Sequence, residues 1–378
     1  MGTINSLNRL EDKYAKDLFE NRATYIDSGE ATLKSTSTKI NKIISKLLVE
    51  KEQVYVREKN MLDNSTIISL SSNSLNLPPY YPGQYIIVST YVRGNYYSRP
   101  YYLISTKDEI NEGIYKINVL NNDDSIFATY LRNIKVNNTV YVSGPYGELY
   151  YNTIRDCNNL IVICEEYGIN AVYSLINRII TDNLNINLTV FYNVKKYEDI
   201  IFLEELNNYN NNSKIDIEII LSEEIVEGYK SGYVTSDLIK KKIEKDSSIF
   251  IYAKEGMLKF LNRELEELKL PRRYIRYESY LPRCNIKNAK KFDLNIKYNN
   301  VDMKHFCFNN KTLLESIEDS RAIIESISRT GKENLCNIKL LSGKVKIVND
   351  TRNDSEKVLN LLDPANTYPN SNISIEIY

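Results

Sequence analysis

The sequence predicts three folded domains in series: an antiparallel β-barrel, a doubly wound α/β domain with a parallel sheet, and a small α+β domain. Three observations predict this. From about 51 to 150, apolar residues recur with a period of two in six short segments, the pattern of half-buried strands. From about 156 to 282, continuous apolar runs alternate with stretches at helical spacing, which implies βα units on a mainly parallel sheet. From 290 to 378 the pattern reverts to mixed short elements. A chain of 378 residues is long enough for two or three cores.

Residues 1–50 form an N-terminal extension in which Leu7, Leu10, Tyr14 and Leu18, then Ile40, Ile43, Ile44, Leu47 and Leu48, recur at helical spacing. They predict one or two amphipathic helices packed on the body of the protein, with a docking helix for a partner as the alternative. The barrel, 51–152, takes strands at Gln53–Arg57, Ser65–Leu70, Gln84–Thr90, Tyr101–Ser105, Tyr115–Leu120 and Thr139–Ser143, and one helix at Ser125–Arg132. The α/β domain, 153–285, takes strands at Leu160–Cys164, Asn187–Tyr192, Ile215–Leu221, Ser248–Ala253 and Tyr274–Tyr277. Its helices are expected at Ile169–Ile180, Ile201–Leu206, Ser236–Lys242 and Met257–Leu268. In the tail, 290–378, Phe292–Tyr298 is a strand and Thr312–Asp319 a short helix. Asn337–Leu341 and Lys344–Val348 read as a hairpin-like pair around Ser342-Gly343, and Ile373–Ile377 closes a small sheet.

Composition excludes several classes of function. Lys+Arg and Asp+Glu are both 49, so the chain lacks the basic excess of many nucleic-acid binders. Its one histidine, His305, rules out a two-histidine metal centre. Five cysteines, at 157, 164, 284, 307 and 336, read as reduced thiols and not a disulfide framework. Residues 1–20 show no secretory apolar region, and no uncharged stretch reaches the ~18 residues a membrane span needs. A cytoplasmic protein is the expectation.

A barrel followed by a doubly wound sheet is the architecture of ferredoxin–NAD(P) reductases, and particular residues support that. Pro82-Gly83-Gln84-Tyr85 followed by Arg99-Pro100-Tyr101-Tyr102-Leu103-Ile104-Ser105 resembles the flavin motif of that family, Arg-x-Tyr-Ser. The resemblance implies that Arg99 grips the FAD pyrophosphate and that Tyr101 lies against the isoalloxazine ring. A guanidinium fork suits phosphate, and an aromatic face suits a flat heterocycle. The serine that would bond flavin N5 is Tyr102 here. Gly144-Pro145-Tyr146-Gly147 resembles the family's Gly-Pro-x-Gly turn. The glycine-rich helix start that holds the pyrophosphate in the family is replaced by Asp124-Ser125-Ile126-Phe127-Ala128.

The nicotinamide half departs further. Strand, turn and helix run Leu160-Ile161-Val162-Ile163-Cys164-Glu165-Glu166-Tyr167-Gly168, where the family has a Gly-Gly-Thr-Gly turn. Only Gly168 remains, and two carboxylates stand where a phosphate approaches. Tyr252-Ala253-Lys254-Glu255-Gly256-Met257 replaces the family's Cys-Gly-Pro motif, while Glu278 matches its closing segment. NAD(P) is not expected in the usual mode.

The tail resembles a plant-type [2Fe–2S] ferredoxin, a β-grasp fold, through Lys311-Thr312-Leu313-Leu314-Glu315 and Cys336 to Val345. The register places Ser328, Glu333, Cys336 and Ala365 at the four cysteine positions, so no conventional cluster is expected. The resemblance covers about 50–378 and implies descent from an iron–sulfur flavoprotein reductase with a redox partner protein. One reading keeps FAD and electron transfer. The alternative is a catalytically inactive scaffold or regulatory subunit that binds a partner.

Overall fold

The computed structural model describes residues 24–27, 51–72, 77–244, 246–280, 289–324, 326, 329 and 338–378. Apart from Lys13–Lys51, which groups with the second, the chain from Glu52 on divides into two compact units. One comprises Glu52–Ile86 and Tyr101–Pro282, and the other Ile87–Pro100 and Arg283–Tyr378. The first strand, β1 (Thr24–Asp27), lies between the two stretches of helical spacing in 1–50. The helix positions themselves lie outside the described residues.

Six strands form the barrel sheet: β2 (Glu52–Met61), β3 (Ser65–Ser72), β4 (Tyr85–Val92), β5 (Asn95–Tyr102), β6 (Ile114–Leu120) and β7 (Thr139–Tyr146). Their order is β5-β4-β7-β2-β3-β6, and an antiparallel bridge from Leu103 to Ile117 curls the sheet back on itself. Strand β5 begins at Asn95, well before the Tyr101 start that the sequence suggests. The reason is the turn: Arg93 and Gly94 both take positive φ, 53° and 85°, and reverse the chain in two residues. An arginine is an unusual residue for that conformation, so the turn is hard to see in the sequence. Helix α1 (Lys107–Asn111) is also unforeseen; a capping box between Thr106 and Glu109 starts it. Helix α2 (Ile126–Asn133) follows where expected.

The parallel sheet contains β8 (Asn159–Glu165), β9 (Asn187–Val194), β10 (Ile215–Leu221), β11 (Lys230–Ser231), β12 (Ser247–Lys254) and β13 (Ile275–Tyr280). Its order is β11-β10-β9-β8-β12-β13, with every pairing parallel. Helices α3 (Ile169–Thr181), α4 (Leu203–Tyr209), α5 (Ser236–Lys240) and α6 (Glu255–Glu266) connect the strands. Successive residues of β8 enter two different cores: Leu160, Val162 and Cys164 join the α3 side, Ile161 and Ile163 the α6 side. Burial on both faces explains why this strand reads as a continuous apolar run. Within the same unit Arg276 ties the linker after β7 to β13. It donates to Tyr150 O at 3.0 Å and to Asp156 Oδ2 at 2.7 Å, and its guanidinium lies over the Phe250 ring.

The second unit contains β14 (Lys291–Tyr298), β15 (Val301–Phe308), α7 (Leu313–Glu318), β16 (Ile338–Ser342), β17 (Lys344–Ile347), α8 (Asp354–Val358), β18 (Leu361–Leu362), β19 (Thr367–Pro369) and β20 (Ile373–Ile377). A mixed sheet runs β15-β14-β20-β16-β18, with β14 and β20 parallel. The expected pairing of the two strands around Gly343 does not occur. Strand β16 pairs with β18 and β20, whereas β17 pairs with β1 and β19. Gly343 has φ +96° and sits so near the chain that a Cβ would lie 2.3 Å from Asn372 O. It therefore redirects the chain from one sheet to the next instead of closing a hairpin. Among the described residues no helix is long and apolar enough to cross a membrane.

Candidate functional site

Arg99 stands on β5 with Asn95 and Tyr97, four and two residues earlier, and a strand turns such residues to one face. All three address the end of α7. Asn95 Nδ2 donates to Asp319 O at 3.2 Å, and the Tyr97 hydroxyl to Asp319 Oδ1 at 3.0 Å. Arg99 Nη1 donates to Glu318 Oε1 at 2.7 Å. Arg329 grips the same carboxylate with both terminal nitrogens, at 2.6 and 3.1 Å. Both guanidiniums also reach Ser98 O. Glu318 is 2% exposed, against 21% for Arg99 and 16% for Arg329. Burial by itself would raise the Glu318 pKa, but Arg329 and Arg99 outweigh it and hold the carboxyl below the usual range.

Tyr101 is half-buried, its ring 6.4 Å from that of Phe127 in α2. The Tyr102 hydroxyl donates to Glu278 Oε1, so two predicted site residues meet in one hydrogen bond. The Tyr102 ring stands edge-on to Tyr85 and to Tyr252, at 6.1 and 5.9 Å. Gly147 packs face-on against this group: a Cβ there would lie 3.2 Å from the Tyr85 ring. Gly144 holds φ +114°, and the bond to Pro145 is cis. Ser105 belongs to the barrel wall instead. Its hydroxyl accepts from Lys116 N at 2.7 Å and its carbonyl from the Tyr80 hydroxyl at 2.7 Å, which anchors it among the barrel strands.

At the end of β8 the two carboxylates turn to one lysine. Glu165 Oε2 accepts from Lys254 N at 2.9 Å, and Glu166 Oε1 pairs with Lys254 Nζ at 2.8 Å. Glu166 holds φ +42°, in the left-handed region. Gly168 is needed for contact with β12: a Cβ would lie 2.6 Å from Tyr252 Cβ and 2.9 Å from Tyr252 O. Burial, with Glu165 beside it, pushes the Cys164 thiol up, so the thiolate form is disfavoured.

Comparison with known proteins places these elements. Residues 56–151 match the oxidoreductase FAD-binding domain. The chain is similar to Flavohemoprotein A of Dictyostelium discoideum, 24% identical over 252 residues, which are 61% of each chain. It is also similar to NADH oxidoreductase HCR of Escherichia coli, 21% identical over 71% of this chain and 80% of that one. Among solved structures, phthalate dioxygenase reductase shares the fold with TM-score 0.64 and 16% identity, over 86% of this chain and 97% of that one. The FAD/NAD-binding domain of nitric oxide dioxygenase from Vibrio cholerae gives TM-score 0.54 at 20% identity, over 61% of this chain and 99% of that one. These structures fix the fold: an antiparallel half-barrel followed by a domain built on a parallel sheet.

Two of the predicted flavin residues keep side chains of a type that suits the ligand. Arg99 offers a partly exposed guanidinium, the charge and fork that phosphate oxygens match, and Tyr101 offers an aromatic face. At the start of α2 two amide donors are already taken. Asp123 Oδ1 accepts from Ser125 N at 3.0 Å, and Ser125 Oγ accepts from Ala128 N at 3.2 Å, so the chain's own oxygens take those donors. The β8 turn does not suit a dinucleotide phosphate, because it presents Glu165 and Glu166. In the tail, Ser328, Glu333 and Cys336 lie outside the described residues, and Ala365 is buried with a methyl group that ligates nothing. Sequence reasoning missed Lys254 and Glu318. Lys254 sits inside the altered Cys-Gly-Pro segment, a signal that was available. Glu318 had none beyond closing the helix that Thr312 caps.

Proposed function

We propose that this protein is a flavin-dependent oxidoreductase that holds FAD through Arg99 and Tyr101 and exchanges electrons with a partner protein. The observation that carries the reading is that both residues stand on one strand of the matched FAD-binding domain, with the family's spacing. Bound FAD supplies one- and two-electron chemistry. Arg99 binds its phosphates and Tyr101 covers its ring. The Tyr102 hydroxyl donates its proton to Glu278, which fixes the phenol where the family has a serine.

The order β15-β14-β20-β16-β18, with its central parallel pair, supports reading 290–378 as a ferredoxin-like β-grasp domain. With Ala365 at one cluster position and serine and glutamate at two others, that domain has lost its cluster ligands. A partner then takes over the role of the cluster. The carboxylates on Lys254 support a second reading, a scaffold without an electron donor of its own. FAD titration of the purified protein separates the two. The flavoprotein reading expects stoichiometric binding and a flavin absorbance near ~450 nm. It also expects Arg99→Ala to weaken FAD by about 1.5–3 kcal/mol, the worth of a charge-assisted contact. A protein that refuses FAD leaves the scaffold reading.

A further inference from the structure

We propose that Glu318 is an internal competitor for the flavin pyrophosphate: it occupies Arg99 when FAD is absent and must release it when FAD binds. This inference rests on the flavin reading above and adds a residue that the FAD-binding domain itself does not contain.

Three features carry it. Arg99 and Glu318 are in direct contact at 2.7 Å, so the group best suited to phosphate is already engaged by a carboxylate. The contact is built, not incidental. Asn95, Tyr97 and Arg99 form one face of β5, and all three reach the last turn of α7 or the residue after it. The charge count then decides between coexistence and exchange. Glu318 with Arg99 and Arg329 sums to +1, since two guanidiniums face one carboxylate. An FAD pyrophosphate brings two negative charges. Added to the intact cluster it leaves a net −1 with Glu318 2% exposed, and a buried carboxylate beside a phosphate is strongly disfavoured. With Glu318 withdrawn, the two guanidiniums and the pyrophosphate balance. The same count explains why Arg329 matters although no phosphate contact is assigned to it. It shares the carboxylate, so it weakens the claim of Glu318 on Arg99.

The consequence is coupling: flavin occupancy and the hold of α7 on β5 exclude one another at Arg99. By reciprocity, whatever frees Glu318 raises flavin affinity by the same factor that flavin loosens Glu318.

The test is FAD affinity of the full chain, read by quenching of flavin fluorescence, for wild type, Glu318→Gln and Arg329→Gln. Glu318→Gln keeps the shape and removes the charge, and should bind FAD about 10-fold more tightly than wild type. Arg329→Gln leaves Glu318 with Arg99 as its main partner and should bind FAD more weakly, so the two variants move in opposite directions. If Glu318→Gln does not fold, Glu318→Asp, which keeps the charge but shortens its reach to Arg99, takes its place and should also bind FAD more tightly than wild type. Wild type and both variants binding FAD within twofold of one another would overturn the competition and leave the flavin reading standing. No FAD binding by any of the three would sink both.

Discussion

Strand β5 and the turn after β8 present opposite signs of charge. On β5 the chain keeps a cation, Arg99, and supplies a temporary anion in Glu318. At the end of β8 it installs two anions, Glu165 and Glu166, and supplies a permanent cation in Lys254. A phosphate meets the right sign of charge at the first place and the wrong sign at the second. The packing agrees. Arg99 is partly exposed, whereas Gly168 in the β8 turn sits within 2.6 Å, by a built Cβ, of Tyr252. One position is occupied by an exchangeable ion pair, and the other is filled by its own backbone.

Four measurements sharpen or break this contrast. The largest effect belongs to Glu318. Replacing it with alanine strands two guanidiniums and should lower unfolding free energy by about 3–5 kcal/mol, measured by urea denaturation. A loss under about 1 kcal/mol would show that the arginines find water or other partners without cost. The same carboxylate sets a pH dependence. Its folded-state pKa lies below the ordinary 4.5, so its contribution is complete above that value and drains away as pH falls through the folded pKa. The stability gap between wild type and Glu318→Gln should therefore hold at neutral pH and narrow as the pH falls below about 4.5.

Gly168→Ala comes next. A methyl pressed onto Tyr252 should cost about 1–3 kcal/mol, the range for overpacking a tight site. If the thermal midpoint does not move, the turn has room that the close approach denies. Lys254→Ala is the smallest. Its ion pair with Glu166 is about one-third exposed on the lysine side, so the loss should stay within about 1 kcal/mol. Glu165 keeps its bond to the backbone N of residue 254 and Glu166 is freed, so both carboxylates still repel a dinucleotide, and NADH affinity should not improve by isothermal titration. Tight NADH binding by this variant would show that Lys254, and not the sign of charge, closes the turn.

Much of the fold was legible in the sequence because its elements carry strong local periodicity. The β8 run and the α3 spacing, for example, appear within two residues of their expected bounds. The misses share a cause. Strand β5 was truncated because Arg93 takes a conformation that its side chain does not advertise. Strand β15, mostly exposed, offers little apolar pattern to read. The pairing around Gly343 was misjudged because a glycine between two short strands fits a hairpin and a change of sheet equally well.

The sequence by itself determined the order of the domains, the candidate flavin residues Arg99 and Tyr101, and the two carboxylates that follow β8. Periodicity and residue type are local properties, and a chain displays them before it folds. Only the tertiary structure decided which partner each charge takes. Glu318 lies 219 residues from Arg99, and Lys254 lies 88 from Glu166. Nothing in either stretch encodes the other, because an ion pair in a folded protein depends on distance and burial, which the packing of whole elements sets.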